Sequence, residues 1–345
     1  MRAGKLSLMD LFRLIRQLVD IESITENEEA CGEFLYRLLG EMAQRHGGTV
    51  ERMDVAPRRF NVFASFGEPV VTLSTHFDTV PPFIPFSEDD EWVYGRGSID
   101  AKGILACMIV AAEELLESGE RDLGLLFMVG EERNSAGAYA AAKEPRGSRF
   151  VINGEPTENR LALGSKGALR FEITCHGKMA HSAYPELGES AIDKLLVVLE
   201  RLKSMPLPID RILGPSTLNI GLISGGRAPN VIPDRAGAEI LIRLVSDPTG
   251  TRAMVQEAVS GLGEAKEVLC IPAKHLGSLP GYATTTVSYT TDIPALGEAW
   301  GEPFLLGPGT IHVAHTEHER ANKQELLEAV GLYQRLVRDL WERAR

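Results

Sequence analysis

The sequence predicts an α/β protein: a mixed sheet with helices on both faces, into which a smaller two-layer α+β domain is inserted. Three observations carry this. Residues 70–75 (VVTLST), 123–129 (LGLLFMV) and 150–153 (FVIN) are short, nearly continuous apolar runs, as expected of strands covered on both faces. Between the first two lies 102–118 (KGILACMIVAAEELLES), a helical pattern with apolar residues on one side and glutamates towards its end. From Ala168 the runs change to alternating polarity, in a β-α-β-β-α-β order about 100 residues long, which fits a small inserted domain.

In chain order, residues 8–46 read as two helices, the second entered through Asn27 as its cap and ending before Gly47 and Gly48. The three buried strands and the 102–118 helix follow. The inserted region opens with a strand at 168–177 (ALRFEITCHG) and a helix at 190–204. Strands near 217–224 and 236–244, a helix at 248–261 and a strand at 266–271 complete it. The Gly/Pro-rich return at 275–284 (HLGSLPGYAT) serves as a second hinge. A short helix from Asp292, a strand around Phe304, a turn at Gly307 to Gly309 and a long helix from about Ala321 end the chain. The expected domains are 1–167 with 277–345, and 168–276.

Composition narrows the class. A chain of 345 residues with 44% apolar content can bury a full core and still present a cleft. Its 36 basic and 48 acidic residues leave a net charge of −12, which offers phosphates no broad basic face, so nucleic acid is not an expected partner. Cys31, Cys107, Cys175 and Cys270 are far apart, form no CxxC pair and sit in or beside apolar stretches, as small buried thiols do. The amphipathic opening segment is soon interrupted by charge and lacks a secretory signal's apolar core, and no run reaches the length of a membrane span. The expected location is the cytoplasm, without a membrane partner.

The chemistry lies at strand ends. His76 and Asp78 end the first buried strand, Glu131 and Glu132 the second, and Glu155 the third. In an open α/β sheet, ligands bind outside the carboxyl ends of the strands, so these residues describe one cleft. Asp100, just before the helix from Lys102, and His315 join them. Carboxylates around two imidazoles are costly to bury without counter-charge, and divalent metal supplies it. The mixed nitrogen and oxygen set suits zinc, and five ligand residues with one bridging carboxylate suit two ions about 3.5–4 Å apart. Asp100 is the candidate bridge. Separated from His76 by one residue, Asp78 can fix the imidazole tautomer, while Glu131 and Glu132 point apart, so one can bind metal and the other act on water.

Seven motifs occur in order: STHFDTVPP (74–82), YGRGSIDAKG (94–103), VGEERNSAG (129–137), NGEPT (153–157), GKMAHSAYPELGESAI (177–192), GGRAPNVIPD (225–234) and GPGTIHVAHTEHE (307–319). Together they resemble the co-catalytic zinc hydrolases that include acetylornithine deacetylase, succinyl-diaminopimelate desuccinylase, aminoacylase and glutamate carboxypeptidase, over nearly the whole chain. The resemblance implies a zinc-exopeptidase-like catalytic domain with an inserted lid, and a homodimer formed through that lid. It implies two zinc ions, with cobalt or manganese as substitutes. His76, Asp100 and Glu155 would hold one, and Asp100, Glu132 and His315 the other. It makes Asp78 the orienting residue of His76, and Glu131 the general base. His181 would reach into the partner's site and stabilise an oxyanion, while Asn230, Arg243 and Gly309 would contact substrate. A non-proline cis peptide is implied at Asp100–Ala101.

Of the neighbouring histidines, His312 and His318 could also ligate, but only His315 is followed four residues later by a glutamate, Glu319, as the family pattern requires. Aminopeptidase relatives tend to carry aspartate where this chain has Glu155, so the leading expectation is deacylation of a small N-acyl amino acid, with dipeptidase or carboxypeptidase action second. The segment 287–293 (VSYTTDI) lacks the glycines of many relatives' substrate-carboxylate loop, which leaves specificity open. Other classes fit less well. GRGSID (95–100) lacks the third glycine of a dinucleotide loop and follows polar SEDDEWVY, and no GxSxG elbow supplies a serine nucleophile. A non-catalytic metal-stabilised binding protein would require a missing base or ligand, and none is missing.

Overall fold

The computed structural model describes residues 10–345, so the expected helix start at residue 8 lies outside the described residues. Two compact units emerge. One runs to Leu163 and includes Leu276–Thr285 and Thr291–Arg345; the other is Gly164–His275 with Thr286–Thr290. The five residues 286–290 thus group with the second unit, whereas the sequence reading placed them with the first.

The first unit is built on a six-stranded sheet in the order Thr49–Ala56, Arg59–Phe66, Leu123–Met128, Val71–His76, Phe150–Asn153, Glu302–Leu305. The last four are mutually parallel, and the first two form an antiparallel hairpin against them. Val71–His76 and Leu123–Met128 are buried at every residue, which is why they read as unbroken apolar runs. The Lys102–Glu117 helix is buried on almost every side, because the sheet lies on one face and the helices Leu11–Val19 and Lys323–Ala344 on the other. Its alanines and glycine allow that close approach. Each large apolar side chain it buries contributes about 1.5–3 kcal/mol.

Three local expectations are corrected. The Thr49–Ala56 and Arg59–Phe66 hairpin was not expected, because Glu51, Arg52 and Asp54 interrupt the apolar pattern of its outer strand. Those charges suit an exposed sheet edge. The second helix, Glu29–His46, is entered through Glu28 rather than Asn27, and Glu28 makes no side-chain cap because its carboxylate pairs with Arg59 at 2.6 Å. Ala321 lies in a strand, Arg320–Asn322, paired with Trp92–Tyr94, so the last helix begins at Lys323 with Asn322 capping the N–H groups of Gln324 and Glu325.

The second unit is a four-stranded antiparallel sheet in the order Thr217–Gly225, Arg235–Leu244, Gly167–His176, Glu264–Ile271. Helices Ala191–Lys203 and Pro248–Val259 cover one face. Leu169, Phe171, Ile173 and Cys175 alternate inwards against Leu195, Val198, Leu202, Val255 and Val259. Ser190 and Asp247 cap the two helices, their side chains accepting the N–H groups of Asp193 and Thr249.

Gly154 ties this packing to the chemistry, since it sits between the end of the Phe150–Asn153 strand and Glu155. A methyl group there would lie 2.5 Å from Ile104 Cγ2 and 2.6 Å from Met108 Cε. Gly154→Ala is therefore expected to lower stability by about 1–3 kcal/mol through overpacking. An unchanged denaturant midpoint would show that the helix gives way freely.

Candidate metal centre

Adjacent parallel strands Leu123–Met128, Val71–His76 and Phe150–Asn153 end side by side, so the residues just beyond them meet. Asp100 is the common contact. Its Oδ1 lies 3.0 Å from His76 Nε2, and its Oδ2 3.2 Å from His315 Nε2. Glu132 Oε2 is 2.9 Å from the same His315 nitrogen, and Glu155 Oε1 is 3.9 Å from His76 Nε2. Asp100 thus stands between His76 and Glu155 on one side and His315 and Glu132 on the other. The Asp100–Ala101 peptide is cis, as the resemblance implies. His315 reaches this position from a left-handed backbone, φ +62°. Neither His312 nor His318 forms an ion pair among the described residues.

Asp78 is buried beneath the cluster. His76 Nδ1 is 3.0 Å from the Asp78 backbone carbonyl and 3.5 Å from its carboxylate, so the main-chain oxygen makes the closer contact. The carboxylate also accepts the backbone N–H groups of Glu131 and Glu132, at 3.1 and 3.3 Å, and the Thr25 hydroxyl at 2.8 Å. Asp78 therefore holds the His76 ring chiefly through its backbone carbonyl, and through its carboxylate the turn that presents both glutamates.

The clustered acids and imidazoles shift one another's proton affinities. Burial and neighbouring Glu155 push Glu131 well above the ordinary carboxylate range, and burial does the same to Glu155. Burial also raises Glu132. Asp100 is buried as well, yet hydrogen bonds from His315 and His76 hold it far below that range. In return, Asp100 and Glu132 push His315 up to about 10, and His76 rises against its own burial through Asp100 and Asp78. Both rings thus hold a proton more tightly than an ordinary histidine does.

This donor set fits divalent metal. One atom each from His76, Asp100 and Glu132 lie within 4.8 Å of one another. Glu155 Oε1 is buried without a hydrogen-bond partner, an arrangement that costs free energy unless something binds it. Two imidazoles and three carboxylates suit a borderline-soft ion such as zinc.

The other expected residues are placed differently. His181, Asn230 and Arg243 belong to the second unit. His181 and Asn230 are neighbours there, since Ser182 N donates to Asn230 O at 3.0 Å and His181 bridges to Val231. His181 Nδ1 accepts the Ala183 N–H at 3.1 Å. Arg243 is partly buried, makes no ion pair among the described residues, and is held below the usual arginine range by burial. Gly309 is buried, its carbonyl takes the Glu158 N–H at 2.7 Å, and its α-carbon packs on Ile99. That explains a glycine at φ +70°.

One residue escaped sequence reasoning. Asp292 is 1% exposed, and burial pushes it up to about 7 beside His76, Asp78 and Glu132. Neither of its oxygens closes an ordinary hydrogen bond, although Ser135 is near enough to ease its charge. Its position before the Ile293–Leu296 helix reads as a cap, but it makes no side-chain cap.

Comparison with known proteins agrees with this architecture. Residues 163–266 match the peptidase dimerisation domain family. A Schizosaccharomyces pombe protein named as peptidase M20 domain-containing is 38% identical over 340 residues, covering 95% of this chain and 84% of its own length. An Aspergillus niger protein named "Probable carboxypeptidase" is 39% identical, covering 96% of this chain and 89% of itself. Among solved structures, the aminopeptidase PepT of Bacillus cereus superposes with a TM-score of 0.80 at 19% identity, over 96% of this chain and 98% of that one, a likeness of fold.

Because neighbouring carboxylates raise the proton affinity of both His76 and His315, a cation held by these rings competes with protons for them. Zinc affinity is expected to fall from about pH 8 to pH 6, with net proton release on binding. Calorimetry in buffers of different ionisation enthalpy measures that release. A binding heat independent of the buffer would contradict it.

Proposed function

Given that this chain belongs to the M20 family of metallopeptidases, hydrolases that act on peptide bonds, we propose that it removes the C-terminal residue from short peptides as a di-metal carboxypeptidase or dipeptidase. The observation that carries the reading is Asp100, whose two carboxylate oxygens face two separate imidazoles. One ion would be held by His76, Asp100 and Glu155, the other by Asp100, Glu132 and His315, with zinc the first choice from the donor chemistry. When bound, the pair supplies positive charge that neutralises the acids, acidifies water and polarises the carbonyl to be attacked.

The remaining roles belong to the protein's own side chains. Glu131, unpaired by any hydrogen-bond donor among the described residues and raised in proton affinity, takes the proton of the attacking water and returns it to the departing nitrogen. Asp78 keeps Glu131 and Glu132 aimed through their backbone N–H groups. His181 accepts a hydrogen bond on Nδ1, so the neutral ring carries its proton on Nε2 and donates from there. That suits an oxyanion, in the partner's site as the family resemblance implies. Arg243, lacking an anion, would grip the substrate's terminal carboxylate with its planar fork, and Asn230 the adjacent amide.

Deacylation of an N-acyl amino acid uses the same amide, carboxylate and general base, and is the second reading, supported by the motif likeness to acetylornithine deacetylase. The full-length likeness to fungal proteins with carboxypeptidase names favours the peptidase. A release assay of zinc- or cobalt-loaded protein against dipeptides, longer peptides, blocked peptides and acetyl, succinyl and formyl amino acids decides. Turnover of acyl amino acids alone would overturn the peptidase reading.

Glu131→Gln is expected to lower kcat by about 10²–10⁴ while zinc content is unchanged. Near wild-type turnover in the zinc-loaded variant would remove Glu131 as the base. Mixing inactive His181→Ala with inactive Glu131→Gln protein should restore part of the activity through hybrid dimers, and no recovery after verified subunit exchange would place His181 outside the partner's site.

A further inference from the structure

We propose that Glu319 is a positioning residue that sets the shared ligand Asp100, so that one loop grips Asp100 at both its backbone and its carboxylate; this rests on the reading of Asp100 as the bridge. Glu319 is 2% exposed, far from the solvent that an acid normally seeks. Its Oε1 accepts three backbone N–H groups of one turn: Gly97 at 2.8 Å, Ile99 at 3.3 Å and Asp100 at 3.3 Å. Its other oxygen pairs with Arg96, which is itself 2% exposed and donates through Nε to the Pro82 carbonyl at 3.3 Å. Four residues earlier in the same loop, His315 meets Oδ2 of the same Asp100.

The loop is anchored independently of the cluster. Arg320–Asn322 pairs with Trp92–Tyr94, and Gly95 N donates to Glu319 O at 3.2 Å, so Glu319 enters at a fixed height beside the 95–100 turn. Gly97 adopts φ +88°, with the Lys102 and Thr79 side chains so close that a methyl group would lie 3.0 and 3.1 Å from them. Such a turn points successive N–H groups inwards, and the chain fills that cradle with its own carboxylate. A buried ion pair that served stability alone would need only Arg96 and could be replaced by apolar packing. Here the free oxygen is committed to the turn that ends in Asp100, so displacing it moves Asp100 directly.

The test compares metal binding by folded wild type, Glu319→Ala and Glu319→Gln, using competition with a chromophoric chelator for zinc and the visible spectrum of the cobalt-substituted protein. Glutamine keeps an oxygen for the three N–H groups but cannot balance Arg96; alanine keeps neither. The expected result is an affinity about 10–100-fold weaker at one of the two ions in the alanine variant, an intermediate loss in the glutamine variant, and an altered cobalt spectrum. Wild-type affinity and spectrum in both, with only thermal stability reduced, would overturn the proposal. So would failure of both to fold, which would assign the pair to stability. Wild-type protein that binds two ions but cleaves no peptide would sink the substrate reading and leave this comparison intact.

Discussion

Everything in the first unit answers to one electrostatic constraint: Asp78, Asp100, Glu131, Glu132, Glu155 and Asp292 crowd together at the ends of three parallel strands. Such a group cannot remain ionised in a poorly solvated place without positive charge. The demand shows in the proton affinities, which rise on the two imidazoles beside Asp100 and on the acids Glu131 and Glu155. Those are also the groups that a divalent cation would displace or bind.

Holding like charges together requires a rigid frame, and the sheet supplies it. The strands bearing His76, Glu131–Glu132 and Glu155 are central, buried and hydrogen-bonded on both sides, so their ends are among the least mobile points of the unit. The buried Lys102–Glu117 helix fixes Asp100 from beneath. Rigidity from packing alone would still leave the turns free to splay, and here polar contacts take over: Asp78 binds the Glu131–Glu132 amides, and Glu319 binds those of the Asp100 turn. Two buried carboxylates hold backbone so that other carboxylates can face metal.

Much of this was legible in the sequence because the central strands are unbroken apolar runs ended abruptly by acids and a histidine, and strand ends have a defined geometry. His315 was harder to read. It lies in an irregular loop with a left-handed backbone, and only the spacing to Glu319 separated it from His312 and His318. The edge hairpin was missed because charged residues break its alternation, and the last helix began late because Arg320–Asn322 is too short to show a period. Asp292 gave no signal at all, since a lone acid before a helix resembles a cap until its burial is known.

The limits of sequence reading follow the division of labour in the chain. Metal-assisted hydrolysis of an amide needs ligands, a base and charge neutralisation at one place, so the cluster's composition alone restricts the reaction to a few possibilities. Substrate choice rests on weaker physical demands. Arg243 offers a fork that any carboxylate can fill, and a peptide's C-terminus and an acyl amino acid present the same carboxylate beside the same amide. The difference lies beyond that amide, in whether the acyl portion is a small blocking group or another residue. Side chains that contact that portion need only shape and modest polarity, which many sequences provide. The deacylase and peptidase readings therefore share every charged residue identified in this chain, and what separates them is the volume and polarity on the acyl side of the scissile bond.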